Sequence, residues 1–408
     1  MGNNHPNMML EIMRTDLLAP GAAKKKGPRL VEPKSGAKLV VTLLDPLLRS
    51  PCAPMAAIPL DGRQLKPYNE ILLRTKALRA KFYEDGFIDK PTTYTPDRQN
   101  EVSKAAEDIG IALADLFHTN EHVHRWLLGL FGTAAESEAG EEPLPPVTII
   151  TNDLEMPWFW LRQSGLFLCE VCSLGTLQLS ATEGPGDTSR GERRRDEDGQ
   201  ALLIKGERTK GYPFLDEDLQ RIKRRLEKPY TGVPQYFGVS QAATGEDIEK
   251  IWPRWPLRTT TYPNIRIVHY SGHYSGDQLF LAGTQVPLGE LGKHLADCLL
   301  VLDASSDERA GDVWADIEGL TPALSQGALG CIVTALPVKD DPIANRILWD
   351  TFYRNVRCET ETVGSALAKA RNTLRDYFAS IGSPNPAWAA YQLIGSPLVR
   401  LCEGGESR

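Results

Sequence analysis

The sequence lacks long apolar runs, an excess of positive charge and a secretion signal. No apolar stretch reaches the ~18 residues of a membrane-spanning helix, so no membrane partner is expected. Acidic residues outnumber basic ones, 53 to 46, and the net charge of −7 gives no basic field that would indicate direct nucleic-acid binding. The first residues, MGNNHPNMML, lack the basic and then apolar layout that directs secretion.

Cysteines are few, with seven in 408 residues. A sparse, odd set predicts reduced thiols and a cytoplasmic location, not a disulfide framework. Cys169 and Cys172 form a lone CxxC motif in a run that reads as a strand, where residues three apart face opposite sides. We therefore expect no metal there, and no cofactor elsewhere in the chain.

One sequence motif indicates a zinc site, contrary to this expectation. The stretch from His118 to His122, HTNEH, fits the HxxEH pattern of inverted zinc peptidases, in which two histidines on one helical face bind zinc. The segment 99–131 reads as one amphipathic helix, so the i and i+4 geometry is possible. No third ligand is identifiable, which leaves a zinc peptidase as a remote alternative.

Two apolar strand patterns in the second half each precede a reactive type of residue. NIRIVHY (264–270) is followed by Ser271, Gly272 and His273, and DCLLVLD (297–303) is followed by Ala304 and Ser305. A short leucine-spaced segment, 288–295, reads as the crossover helix of a β-α-β unit. Ligands bind beyond the carboxyl ends of such parallel strands, so His273 and Ser305 could meet as base and nucleophile. The alternative is that both are solvated loop residues.

Four segments in this order resemble the C-terminal half of a CHAT domain, the caspase-like cysteine peptidase module related to separase, caspases and metacaspases. They are YSGHYSGDQLFL, ADCLLVLDASSD, GALGCIVTALPVKDD and AWAAYQLIGSP, within 264–401. The resemblance implies an α/β caspase-like fold with a mostly parallel sheet flanked by helices. It also implies that His273, after Gly272, is the base, and that position 305 carries the nucleophile.

Position 305 departs from the family, which has Cys where this chain has Ser305. A thiol titrates near pH 8.5 and gives its proton easily to an imidazole, whereas a serine hydroxyl is far less acidic. The chain is therefore either a protease silenced by substitution of Cys, which we favour because the rest of the motif is kept, or a natural pseudo-enzyme. An active serine nucleophile is the least favoured reading, since no acidic partner for His273 can be named.

The resemblance also implies which groups surround His273 and Ser305. The backbone amides of Tyr274 and Ser305 would form the oxyanion hole. In the related metacaspases an Asp two residues before the nucleophile lies in the pocket for a basic side chain, and Asp303 holds that position here. A carboxylate there would pair with Arg or Lys, so cleavage after basic residues is expected. The alternative is that Asp303 only satisfies backbone or loop groups.

Composition and the resemblance together predict three parts. Residues 1–36 mix Pro, Gly and Lys, which predicts a flexible N-terminus. The resemblance implies that residues 37–230 form an N-terminal, pseudo-caspase-like half, in which Pro157 and Trp158 match the turn that precedes the catalytic half in CHAT domains; Trp158 is also explained by core packing. Gly-rich, charged residues at 181–210 predict a disordered loop within this half. The resemblance implies that residues 231–408 form the catalytic half.

The resemblance suggests a biological context as well. CHAT domains recur in bacterial immune and cell-death systems, including antiviral defence, where a partner protein or a nucleotide-derived signal activates them. The expected partners are therefore protein substrates and an activating ligand or protein. The chain shows no tandem repeat or separate sensor segment. A catalytically inactive CHAT-like protein that serves as a scaffold is the alternative function.

Overall fold

The computed structural model describes the chain in segments: residues 8–15, 36–44, 56–84, 96–136, 144–153, 156–178, 199–207, 214–228, 237–251, 265–275, 278–292, 294–295, 297–306, 328–334, 341–357, 361–382 and 385–401. Within these residues, 13 strands form one mixed sheet that is flanked by helices. The predicted α/β class with a large helix-flanked sheet is confirmed. Apolar strands supply much of the buried core, as expected of a sheet covered on its faces.

The strands are β1 Met8–Arg14, β2 Lys38–Leu44, β3 Ala56–Pro59, β4 Pro146–Thr151, β5 Arg162–Gln163, β6 Leu166–Phe167, β7 Ser173–Gln178, β8 Gln200–Lys205, β9 Gly238–Ala242, β10 Ile265–Ser275, β11 Gln278–Leu281, β12 Thr284–Pro287, β13 Leu299–Ser306, β14 Gly330–Thr334 and β15 Tyr391–Gly395.

The helices are α1 Gly62–Glu84, α2 Pro96–Phe117, α3 Glu121–Glu136, α4 Leu168–Val171, α5 Leu215–Glu227, α6 Gly245–Ile251, α7 Leu288–Gly292, α8 Pro342–Asn355 and α9 Val363–Ser380. Short 3-10 turns form at Trp158–Trp160 and Pro386–Ala389. In the part of the chain that the structure describes, no helix is both long and apolar enough to cross a bilayer.

The main sheet runs in the order β9-β8-β10-β13-β14-β15-β7-β4-β1-β2-β3, and the hairpin β11–β12 extends from the end of β10. Strands β8, β10, β13 and β14 are mutually parallel, and β15 closes this group antiparallel to β14. The strand β15 also pairs with β7, so one sheet passes through both halves of the chain. The apolar run at 329–335 predicts a third parallel strand, and the amphipathic patterns at 342–356 and 362–380 predict two long helices. The strand β14 and the helices α8 and α9 confirm these predictions.

The N-terminal strand β1 corrects the prediction of a flexible N-terminus for residues 8–14; residues 1–7 and 16–35 of that predicted segment lie outside the described residues. Strand β1 lies between β2, to which it is antiparallel, and β4, to which it is parallel. Leu10 and Ile12 are fully buried in the core. The apolar alternation in MMLEIM is short, and the Pro, Gly and Lys residues that follow dominate the local composition and conceal it.

The strand β8 corrects the predicted disordered loop at 181–210. Four consecutive residues, Ala201 to Ile204, are buried, and the strand pairs with β9 on one side and β10 on the other. The strand β8 joins the strands of the predicted C-terminal half, and α5 packs against α8. Residues 181–198 and 208–210 of the predicted loop lie outside the described residues, as do residues 313–326, where the sequence pattern predicts a helix.

Truncation of Leu10 tests whether β1 is part of the core. Leu10 is 2% exposed, whereas Leu73 on α1 is 58% exposed. We expect Leu10→Ala to lower the free energy of unfolding by about 2–5 kcal/mol through lost burial and an unfilled cavity. The matched change Leu73→Ala should cost less than about 0.5 kcal/mol. Denaturant unfolding measures both, and equal effects would contradict a buried β1.

Candidate functional site

The parallel register of β10 and β13 places His273 directly opposite Ser305. The same register pairs Ser271 with Asp303 and Gly272 with Ala304. Both strands continue past their predicted ends. His273 is the third residue from the end of β10 and Ser305 the second from the end of β13, so neither is a loop residue beyond its strand. The sequence therefore identified two positions that the sheet brings together, although it placed the strand ends too early.

Close backbone packing explains the glycine before His273. The amide of Gly206, just after β8, donates to the carbonyl of Ser271 at 2.7 Å. A Cβ at position 272 would lie 2.7 Å from Gly206 Cα and 2.8 Å from the Tyr270 hydroxyl, closer than atoms can approach. Gly272 is thus required by the close approach of two neighbouring backbones. The Tyr270 hydroxyl also bonds to the carbonyl of His273, which fixes the strand at the imidazole-bearing residue.

Asp303 lies two residues before Ser305 on β13 and is held by aromatic donors. Trp349 Nε1 donates to Asp303 Oδ2 at 3.0 Å, and the Tyr391 hydroxyl donates to Oδ1 at 2.6 Å. Trp349 is on α8, and Tyr391 is the first residue of β15. Asp303 is 8% exposed. Donors of this kind stabilise a buried carboxylate, whose burial as an ion without partners would cost on the order of several kcal/mol.

His269 continues this network on the inner side. Its ring is fully buried, with Nδ1 2.6 Å from the Tyr353 hydroxyl and Nε2 2.9 Å from Ser271 Oγ. Ser271 in turn donates to Asp303 Oδ2 at 3.5 Å. The His269 Nε2 atom is 3.8 Å from the same carboxylate oxygen. A chain of polar contacts therefore runs from α8 through β10 to the carboxylate on β13.

The hydrogen-bond roles in this chain follow from counting protons. A serine hydroxyl has one proton, and Ser271 gives it to Asp303, so Ser271 must accept from the His269 Nε2–H. A neutral imidazole with its proton on Nε2 accepts at Nδ1, where Tyr353 donates. Burial lowers the pKa of His269 to about 3, which keeps the ring neutral. Burial, and then the charge of Asp303, raise the pKa of Tyr353, which keeps its proton.

The two amides predicted for an oxyanion hole lie on neighbouring strands. Tyr274 is the register partner of Ser306 on β13 and of Leu279 on β11, and its side chain is buried. Ser305 is one residue before that partner. The Tyr274 amide is thus part of a strand paired on both edges, and its role toward an oxyanion stays a prediction.

The zinc alternative rested on a continuous helix, and that premise is wrong. Helix α2 ends at Phe117 and α3 begins at Glu121, so His118 and His122 do not share one helix. Asn120 causes the break because its side chain accepts from the amides of His122 and Val123, as an N-cap does. His118 forms an ion-pair contact with Asp115 at 3.0 Å. No group of three or more His, Cys, Asp or Glu side chains suited to a metal occurs among the described residues.

The CxxC motif is a helical turn and not the predicted strand. Cys169 lies in α4 and Cys172 directly follows it, and both side chains are fully buried. Burial raises the pKa of Cys169 to about 12 and that of Cys172 further still. These thiols stay protonated and are poor nucleophiles and poor metal ligands.

Sequence reasoning missed the three aromatic residues whose side chains hydrogen-bond to His269 and Asp303. Trp349, Tyr353 and Tyr391 come from elements far along the chain from β10 and β13. In the sequence they look like ordinary core aromatics at helix and strand positions, and only their N–H and O–H groups hint at a polar partner.

Comparison of the chain with protein-family models and with curated proteins gives no match.

The buried neutral His269 predicts a pH dependence of stability. Unfolding restores the ordinary pKa near 6.5, so the unfolded chain binds a proton that the folded chain refuses between pH 6.5 and about 3. Acidification below pH 6.5 should therefore lower the free energy of unfolding, by up to about 1.4 kcal/mol per pH unit from this residue. His269→Gln is the control and should show a correspondingly shallower slope in denaturant titrations. Identical slopes would contradict a neutral, buried His269.

Proposed function

We propose that this chain is a caspase-like cysteine endopeptidase in a silenced form, with His273 as general base and the nucleophile position occupied by Ser305. The observation that carries the proposal is the register of β10 and β13, which sets His273 opposite position 305 near the carboxyl ends of two parallel strands. Such edges are where α/β sheets bind ligands. The CHAT-like order of the motifs supports the same assignment.

The proposed reaction needs a thiol at position 305. His273 would take the thiol proton as the sulfur attacks the scissile carbonyl carbon, and would return that proton to the leaving amine as the peptide C–N bond breaks. Water then hydrolyses the thioester and restores the thiol. The amides of Tyr274 and Ser305 would donate to the oxyanion in both steps. With Ser305 the less acidic hydroxyl removes most of this activity.

Asp303 supports cleavage after Arg or Lys. It stands two residues before position 305 on the same strand, and alternate strand positions belong to one face of a sheet. Its carboxylate is held in place by Trp349 and Tyr391, so a cationic side chain would meet an oriented acceptor. The proposed substrates are therefore proteins with an exposed basic residue, and the proposed setting is an inducible bacterial defence or cell-death system.

A scaffold without activity is the second candidate. Ser305 itself favours it, as does the buried position of Asp303, because a carboxylate that is 8% exposed also suits a purely structural role. In that function the partner would be a peptide or protein bound without cleavage. The two candidates differ in one respect that can be measured, which is whether a thiol at position 305 makes the protein a protease.

Restoring a thiol tests the proposed function. We expect Ser305→Cys to produce new peptide termini after Arg or Lys in a cell lysate, mapped by mass spectrometry, because His273 can then generate a thiolate. The paired protein Ser305→Cys with His273→Ala should produce none. The same pair is tested with candidate protein activators and nucleotide signals added.

The outcomes separate the candidates. Termini that require both the thiol and His273 establish the peptidase. Cleavage that persists without His273 overturns its assignment as the base. No cleavage under any of these conditions, by a protein that is folded by circular dichroism, favours the scaffold.

Charge at position 303 tests the specificity. In the Ser305→Cys protein, Asp303→Asn keeps the size of the side chain and removes its charge, so cleavage after Arg and Lys should fall by on the order of 10- to 100-fold. Asp350→Asn, at a partly exposed carboxylate on α8 that contacts Arg225, is the control and should leave cleavage unchanged. An unchanged preference for basic residues in Asp303→Asn would assign Asp303 a structural role only.

A further inference from the structure

The network behind Asp303 contains a histidine that the proposed reaction does not use. His269 is four residues before His273 on β10, is completely buried, and contacts α8 on one side and Ser271 on the other. A buried imidazole costs free energy unless both nitrogens have partners. Both are satisfied here, and the way in which they are satisfied fixes the direction of the hydrogen bonds toward Asp303.

We propose that His269 is a positioning residue for substrate selection, which acts through Ser271 to hold the Asp303 carboxylate oriented and charged for a basic side chain. This inference rests on the proposed peptidase function and adds the device that sets its specificity. The device consists of Tyr353, His269 and Ser271, in a hydrogen-bond chain that ends on Asp303.

The first argument is directional. Tyr353 donates to His269 Nδ1, His269 donates from Nε2 to Ser271, and Ser271 donates to the carboxylate. Each group in the chain therefore has one defined role, and a reversal at any link would take the Ser271 donor away from Asp303. Hydrogen bonds in such chains polarise one another, which strengthens the last bond to the charged group.

The second argument concerns charge. His269 Nε2 lies 3.8 Å from Asp303 Oδ2, and a protonated ring at that distance would compete with the substrate for the carboxylate. The ring is enclosed by Trp349, whose plane meets it edge-on with centroids 5.1 Å apart, and by Tyr353. An apolar, aromatic enclosure disfavours the imidazolium. The pocket thus keeps its negative charge available for the substrate.

The third argument is that the aromatic residues contact both ends of the hydrogen-bond chain, His269 and Asp303. Trp349 encloses His269 and also donates to Asp303 Oδ2, the oxygen that accepts from Ser271. Tyr391 packs edge-on against Trp349 and donates to Oδ1. The carboxylate is therefore fixed at both oxygens, and the rotamer of Asp303 depends on donors from three elements. Loss of the Ser271 donor leaves the aromatic donors in place, so it should change the site without unfolding it.

The test compares variants of the Ser305→Cys protein on two peptides that differ only in charge. One has Arg before the scissile bond, and the other has citrulline, its neutral isostere. Ser271→Ala should raise KM for the Arg peptide by on the order of tenfold, leave kcat within about twofold, and reduce the preference for Arg over citrulline. A structural defect would instead change both peptides alike.

Three further variants separate the steps of the hydrogen-bond chain. Tyr353→Phe removes only the donor to Nδ1 and should produce a smaller change in the same direction. His269→Gln supplies a neutral N–H near the Nε2 position and should retain the Arg preference, whereas His269→Leu should lose it. If His269→Leu does not fold, Ser271→Ala and His269→Gln still decide the inference. Equal KM values for Ser271→Ala and its parent would overturn it.

A measurement without turnover keeps this inference distinct from the proposed function. In 15N-histidine-labelled protein with Ser305 in place, His269 should show the Nε2–H tautomer and no titration between about pH 5 and 8. The Arg peptide should bind more weakly to Ser271→Ala than to the unaltered chain, and the citrulline peptide equally to both. An Nδ1–H tautomer, or equal binding of the Arg peptide, overturns the inference. If these results hold while Ser305→Cys is inert, only the peptidase function fails.

Discussion

The parallel pairing of β10 with β13 is the constraint on which the site depends. It joins two runs of buried branched residues, and burial on both faces fixes the register, because a slip by one residue would exchange the faces of every side chain. That register alone sets His273 opposite position 305 and Ser271 opposite Asp303. The close approach of Gly206 to Gly272 leaves no room for a side chain at this point of β10. Geometry that catalysis would require is therefore a consequence of packing the core.

A second constraint is the cost of burying polar groups beside that core. Asp303, Ser271 and His269 are almost completely removed from water, and aromatic donors from α8 and β15 satisfy them. The site consequently depends on residues up to 88 positions away from Asp303 in sequence. The carboxyl ends of β1 and β4 in the N-terminal half show a comparable solution. There the buried side chains of Arg14, Tyr68 and Asp153 satisfy one another.

Strong local patterns made much of the fold predictable. The apolar runs of β10 and β13, the leucine spacing of α9 and the charge gradient of α5 each stand out over several residues, and each element forms close to where its pattern predicts it. Shorter patterns were hidden by their surroundings. The strand β1 is followed by Pro, Gly and Lys, and β8 follows a highly charged segment, so average composition outweighed four to six apolar residues. The Asn120 cap that separates α2 from α3 is a single residue inside a continuous helical periodicity.

The site was predictable only as far as local sequence reaches. His273, position 305 and Asp303 follow strand patterns directly, so their proximity could be inferred from the topology of parallel strands. Trp349, Tyr353 and Tyr391 could not be inferred, because which buried aromatic donates to which carboxylate depends on tertiary packing and leaves no periodic trace. The same holds for the tautomer of His269, which follows from its two partners and not from its neighbours in sequence.

Covalent labelling tests the central claim most directly. The Ser305→Cys protein is treated with a peptide that carries Arg next to a thiol-reactive carbonyl group, and the modified residue is identified by mass spectrometry. The account predicts an adduct at position 305 whose formation is lost with His273→Ala. The four cysteines that are buried in the described part of the chain, Cys169, Cys172, Cys298 and Cys331, should not react. Labelling at position 305 that proceeds equally well without His273 would contradict the pairing of base and nucleophile on which the account rests.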